Sequence, residues 1–315
     1  MNILKEQVLF DLEDKYSELL LDLGLPDGNN RFKQAFSNYK QLTLEMSEAA
    51  TQIIPEKWTA KFKYAVFDLM ELLDIYNAIH DYPDWSVLKE KIKLLNGGVN
   101  SPADETSSNT IARNIQFELK LLSEFKAAGV RCELGNPNPD IKMLGSLVGQ
   151  SYAVECKRIF SANDSSVHNN INSARDQLKE LLSNNPDQTG IIALDITRRL
   201  TQGTDYLRAK NEEVAKERLS YELDQFRINY ARYFTPKKIG NKRILAVLLH
   251  TSMYTYIEDR GLASHGAYTV IHEIHPEPYS KLLFQNLLRD ALVPLSMQKD
   301  PLKEPNIVKD THRKI

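Results

Sequence analysis

Two carboxylates and a lysine stand at a spacing that can do chemistry. Asp140 opens the run Asp140-Ile141-Lys142-Met143-Leu144, and Glu155 and Lys157 lie two apart in Tyr152-Ala153-Val154-Glu155-Cys156-Lys157-Arg158. On a strand, residues two apart share a face, so Glu155 and Lys157 point one way and Val154 and Cys156 the other. The residues between the two runs can form a hairpin turn. That turn sets Asp140 and Glu155 at corresponding places on paired strands. Oxygen ligands with an open coordination position suit Mg²⁺ or Mn²⁺. A lysine beside them can stabilise charge on a phosphorane-like transition state, or orient and help deprotonate a water. Those are the requirements of phosphodiester hydrolysis. A third carboxylate, Glu118, falls in the stripe Ile111, Ile115, Glu118, Leu122 and Phe125, which is one face of a helix. A buried carboxylate is costly unless paired, protonated or bound to a metal. Each residue alone has a plainer reading. Glu118 can reach water or pair with a lysine, Asp140 can be a turn aspartate after Pro139, and Glu155 and Lys157 can line an ordinary exposed strand face. Their conjunction in one short segment favours a site.

The elements around them follow from the hydrophobic period. Residues 1–98 read as helical, with Leu9, Leu12, Tyr16, Leu19, Leu20 and Leu23 at helical spacing and Gly24 and Pro26 as stops. Phe32 to Leu42, Phe62 to Tyr76 and Trp85 to Leu95 give three further helices. The loop at 96–109, rich in Gly, Pro and Ser, is the expected domain boundary. Beyond it a helix is expected over Asn109 to Ala128. Strands are expected at Val130–Leu134, Asp140–Leu144, Tyr152–Lys157, Gly190–Thr197, Arg243–His250 and Ala267–Ile274. Further helices are expected at Ser166–Leu182, Tyr206–Tyr233 and Tyr279–Leu292. This is a mixed α/β order. It predicts an all-helical N-terminal domain over 1–98, a catalytic domain over 109–296 and a loose tail over 297–315.

Pro139-Asp140 followed by Glu155-Cys156-Lys157, preceded by the helical Glu118, resembles the PD-(D/E)xK nuclease superfamily. The resemblance covers roughly 90 residues. It implies an α/β (α+β) restriction-endonuclease-like fold, a mixed β-sheet core flanked by helices. It also implies Asp140 and Glu155 as metal ligands, with the backbone carbonyl of Cys156 a third, and Lys157 as the catalytic lysine. Glu118 would match the carboxylate that many members carry on the first core helix. In several members the helix after the lysine supplies a polar residue near the scissile phosphate; Arg175 and Gln177 are the candidates here, against the plainer reading of a solvated helix face. The implied activity is an Mg²⁺- or Mn²⁺-dependent (endo)deoxyribonuclease, with RNA the alternative substrate and restriction or anti-phage defence the analogous role. The rival expectation is a catalytically inactive nuclease-like fold that binds nucleic acid or protein.

Composition narrows the partners. The 315 residues carry 40 Lys and Arg against 42 Asp and Glu, a net charge of −2, which excludes a polybasic nucleic-acid coat. Any DNA contact must be local. Residues 198–243 hold 12 basic against 6 acidic residues and include Arg198, Arg199, Lys237, Lys238, Lys242 and Arg243. These can meet phosphates or simply form a solvated helix. The N-terminal segment is acidic, with 11 basic against 16 acidic residues, and is expected to mediate homodimerisation or bind a partner protein. Two cysteines point to a reducing compartment. The absence of a secretory start or a long apolar run gives the expectation of a cytoplasmic protein without a membrane span. His272 and His275 lie an odd step apart on an expected strand, so they face opposite ways and make a poor zinc pair.

Overall fold

The computed structural model describes residues 6–48, 60–99, 105–106, 109–127, 129–144, 151–159, 163–198, 207–257 and 261–271. Arg199, His272, His275, the expected helix at 279–292 and the expected tail lie outside the described residues. Contacts divide the chain into two units, one drawn chiefly from residues up to Ser123 and the other chiefly from Glu124 onward.

The first unit holds α1 (Glu6–Asp22), α2 (Arg31–Glu48), α3 (Ala60–Ile79), α4 (Trp85–Leu95) and most of α5 (Ile111–Ala127). Leu9, Leu12, Tyr16, Leu19, Leu20 and Leu23 are all buried, as the helical spacing requires. Gly24, at φ +61°, ends α1 in the left-handed conformation that glycine adopts without a Cβ clash. Asp84 caps α4 by accepting from the Ser86 and Val87 amides. The first half of α5 sides with this unit through polar pairs to α3: Arg113 with Asp68, Gln116 with Glu71, and Lys120 with Asp74. The spacing of both partners matches one helix face against another. The division of the chain therefore falls inside α5, beyond the loop at 96–109.

The second unit is built on a mixed sheet. Its strands are β1 (Cys132–Leu134), β2 (Ile141–Leu144), β3 (Ser151–Arg158), β4 (Gln188–Asp195), β5 (Leu207–Ala209), β6 (Ile244–Ile257) and β7 (Gly261–Ile271). The order is β1-β2-β3-β4-β6-β5, with β7 also paired to β6. β1–β2 and β2–β3 are antiparallel, whereas β3–β4, β4–β6 and β5–β6 are parallel. Helix α6 (Asp164–Asn184) makes the crossover from β3 to β4, as a parallel pair demands. Its Val167, Ile171, Ala174, Leu178 and Leu182 share a core cluster with Ala153, Ile192, Leu194, Val247 and Leu249. Helix α7 (Glu212–Asn229), a 3₁₀ turn at Ala231–Tyr233 and helix α8 (Pro236–Ile239) also belong to this unit.

One plainer reading and two expected element bounds are corrected here. The face of β3 bearing Glu155 is covered, and Glu155 is fully buried, because β3 lies inside a sheet flanked by helices. The helix expected from Tyr206 begins only at Glu212. Leu207–Ala209 pairs instead with Thr255–Ile257, and Asn211 caps α7 by accepting from the Val214 amide. Finally, the strand expected to end at His250 runs on to Ile257, where it provides the partner for β5. Among the described residues, no helix is long and apolar enough to cross a membrane.

Candidate active site

The antiparallel register of β2 and β3 pairs Ile141 with Val154. One residue further it sets Asp140 opposite Glu155. The side chains confirm that placement: Asp140 Oδ2 accepts from the Cys156 amide at 2.7 Å, and Lys157 Nζ stands 3.3 Å from Glu155 Oε2. Asp140, Glu155 and Lys157 are thus brought together. Asp140 is 8% exposed and Glu155 0%. Burial, and then the charge of Asp140, push the Glu155 carboxyl up to about 8 against the pull of Lys157. Glu155 Oε1 is buried and has no hydrogen-bond partner among the described residues. Two crowded acids and an oxygen with no donor form an arrangement a cation would complete.

Asp140 owes its aim to the turn before it. The Gly135 amide donates to the Asp140 carbonyl at 3.1 Å, which folds residues 135–140 back on themselves. The turn is so tight that a Cβ on residue 135 would lie 1.5 Å from the Pro139 carbonyl oxygen. Only glycine fits there. Gly135→Ala should therefore displace Asp140 and lower divalent-cation affinity by about 10-fold or more, the size of effect seen when groups that orient metal ligands are lost. Titration calorimetry with Mn²⁺ checks this, and unchanged affinity contradicts it.

The other expected site residues fare differently. Glu118 is buried on α5 in the first unit, where its carboxylate is held by Lys91 of α4. This is the lysine pairing that its apolar stripe allowed. The Cys156 thiol is buried on the face opposite Glu155, as a core cysteine. Arg175 Nη1 donates to the Lys238 carbonyl at 3.0 Å and its guanidinium pairs with Asp176, so it tethers α6 to α8. Gln177 is half-buried, and its Oε1 has no partner among the described residues. Arg198 is half-buried just beyond β4.

The basic cluster at 237–243 is not at the site. Ile244 pairs with Gly190, and Gly190 with Ala153, so this cluster precedes the N-terminal ends of the parallel strands. Lys157 lies four residues past Ala153, about 13 Å along the strand. Arg243 donates to the carbonyls of Leu182, Asn185 and Pro186, which secures the end of α6.

Sequence reasoning missed a buried polar network behind the site. Asp195 ends β4 and accepts from Arg158 Nε at 3.1 Å and from the Thr197 amide at 2.9 Å. His250 on β6 is aligned with it, with Nδ1 3.9 Å from Asp195 Oδ1 and Nε2 3.2 Å from Glu124 Oε2 of α5. Burial would lower the His250 pKa, but the Glu124 and Asp195 carboxylates raise it to about 10. Burial would raise that of Asp195, but His250 and Arg158 hold it down to about 2. Both residues were visible as polar endings of apolar β runs, yet only the parallel register shows that they meet. Among the described residues, no group of three or more His, Cys, Asp or Glu side chains is placed to hold a metal. The Asp140–Glu155 pair would need a backbone carbonyl to supply a third protein ligand. No family model, no curated protein and no solved structure matches the chain.

Proposed function

We propose that the chain is a metal-dependent nuclease of the PD-(D/E)xK type, with a restriction-endonuclease-like second unit, acting on DNA. One observation carries the reading: Asp140 and Glu155 face each other on adjacent strands, with Lys157 on the same face as Glu155 and a buried Glu155 oxygen that has no hydrogen-bond partner among the described residues. The residues fit an Mg²⁺ or Mn²⁺ ion, which Asp140 and Glu155 would hold with the Cys156 carbonyl. When bound, such an ion neutralises phosphate charge and lowers the pKa of water. The chain's own residues do the rest. The Cys156 amide holds Asp140 Oδ2 and so fixes the carboxylate beside Glu155. Lys157 Nζ, on the same strand face as Glu155, can donate to a phosphate oxygen as charge develops there. Burial of Glu155 keeps the surroundings poorly screened, which strengthens each of these interactions.

Restriction or anti-phage defence is the biological role that family analogy attaches to this reading. The rival reading, an inactive nucleic-acid-binding or protein-interaction module, draws on the Lys91–Glu118 pair, which engages the third expected carboxylate. The test is direct. Purified protein with Mg²⁺ or Mn²⁺ should cut plasmid DNA, and EDTA should stop the cutting. Parallel reactions on single-stranded DNA and RNA assign the substrate. No cleavage of any of the three with either metal favours the rival.

A further inference from the structure

We propose that Arg31 marks a binding site for a small oxyanion inside the helical first unit, independent of the nuclease reading. Arg31 opens α2 and is 3% exposed. Its Nε, Nη1 and Nη2 are all buried, and none has a hydrogen-bond partner among the described residues. A guanidinium carries five N–H donors and does not deprotonate in proteins. It therefore cannot relieve its burial by becoming neutral, as a lysine or a carboxyl can.

The neighbouring acids are already engaged. Asp68 accepts from both terminal nitrogens of Arg113, and Glu71 accepts from Gln116. Arg113 is itself close enough to oppose the Arg31 charge, although Asp68 and Glu71 favour it. The Phe32 ring lies 4.5 Å from the guanidinium carbon. A ring beneath the guanidinium face attracts the cation but accepts none of the N–H bonds at its edge. Tyr16, also buried, donates its hydroxyl to Asn96 Oδ1 at 2.6 Å. Next to Arg31, the Asn30 side-chain amide nitrogen is a further buried donor with no acceptor, while its oxygen caps α2 through the Phe32 and Lys33 amides. The region thus holds buried donors on Arg31 and Asn30 that no described residue accepts, while the nearby Asp27 carboxylate is paired with Lys33. The edge of a guanidinium matches two oxygens of one phosphate or carboxylate. The complement is an oxyanion of that kind. Because the guanidinium is enclosed, the anion enters through local opening of the helices and exchanges slowly.

Thermal unfolding of the full chain tests the site. The protein is dialysed into chloride buffer with EDTA, and inorganic phosphate or acetate is added at matched ionic strength. An anion bound only by the folded state raises the folded-to-unfolded ratio about 100-fold at a concentration 100 times its Kd. Wild type should show that rise with phosphate, acetate or both, and the responding arm names the group. Arg31→Met should remove the response, and without anion it should unfold no earlier than wild type, since it replaces an unpaired buried charge with an apolar chain. Arg31→Lys, which keeps the charge but loses the fork, should respond at least 10-fold more weakly. The inference is overturned by a wild-type response to neither anion. It is equally overturned by a wild-type-sized response in either variant, or by Arg31→Met unfolding earlier than wild type in chloride alone.

Discussion

Lys157→Ala should lower metal-dependent DNA cleavage by on the order of 10²–10³-fold, the scale set by removing one preorganised donor from a developing anionic charge, while leaving Mn²⁺ binding intact. The lysine stands 3.3 Å from Glu155 and on the same strand face, so it can reach a bound phosphate, but its positive charge excludes it from the ligand set. Asp140→Asn should do the opposite in the binding experiment: it should lose Mn²⁺ affinity and cleavage together. Folding should survive both changes, because each leaves the β2–β3 pairing in place. Cleavage assays and Mn²⁺ calorimetry on the same preparations separate the roles. Wild-type cleavage by both variants would remove these residues from the chemistry.

Asp195→Ala should destabilise the second unit by about 3–5 kcal/mol, the range for removing one partner from a buried charged pair. It would remove the Asp195 carboxylate from both Arg158 and His250. The pH dependence has a definite sign. His250 is raised from its ordinary 6.5 to about 10, so its contribution is complete below pH 6.5 and is lost as pH rises through 10. Asp195 is lowered from 3.8 to about 2, so its contribution is present above pH 3.8 and is lost as pH falls through 2. The gap between wild type and Asp195→Ala should therefore be widest between pH 3.8 and 6.5 and narrow on both sides. Urea unfolding across that range measures it. A gap independent of pH would show that Asp195 acts by packing alone. The network lies on the strand face opposite Lys157 and joins the ends of β3, β4 and β6 to Glu124 of the same unit, so it braces the strand end that carries the candidate site.

The local parts of this structure were readable from residue types. Helical spacing located α1, and apolar runs located β4 and the first half of β6, because each buries a continuous apolar face that dictates its own period. The juxtaposition of Asp140, Glu155 and Lys157 was legible for the same reason: a strand's two-residue repeat fixes which side chains share a face. Non-local properties were hidden. The burial of Glu155 depends on α6 covering its face, which no feature of Tyr152–Arg158 records. The Glu118 pair with Lys91 joins residues 27 apart on different helices. The Asp195–His250 contact arises from a parallel register between strands far apart in the sequence. Leu207–Ala209 has too few residues to display a period at all, and its strand exists only because β6 extends to meet it.

A crystal of the protein grown with Mn²⁺, measured for anomalous scattering, tests the central claim most directly. A single strong peak should stand about 2.0–2.3 Å from carboxylate oxygens of both Asp140 and Glu155, within oxygen–metal bonding range, with Lys157 Nζ nearby but outside the coordination sphere. Manganese bound elsewhere with that pair left empty, or a peak touching only one of the two acids, would contradict it.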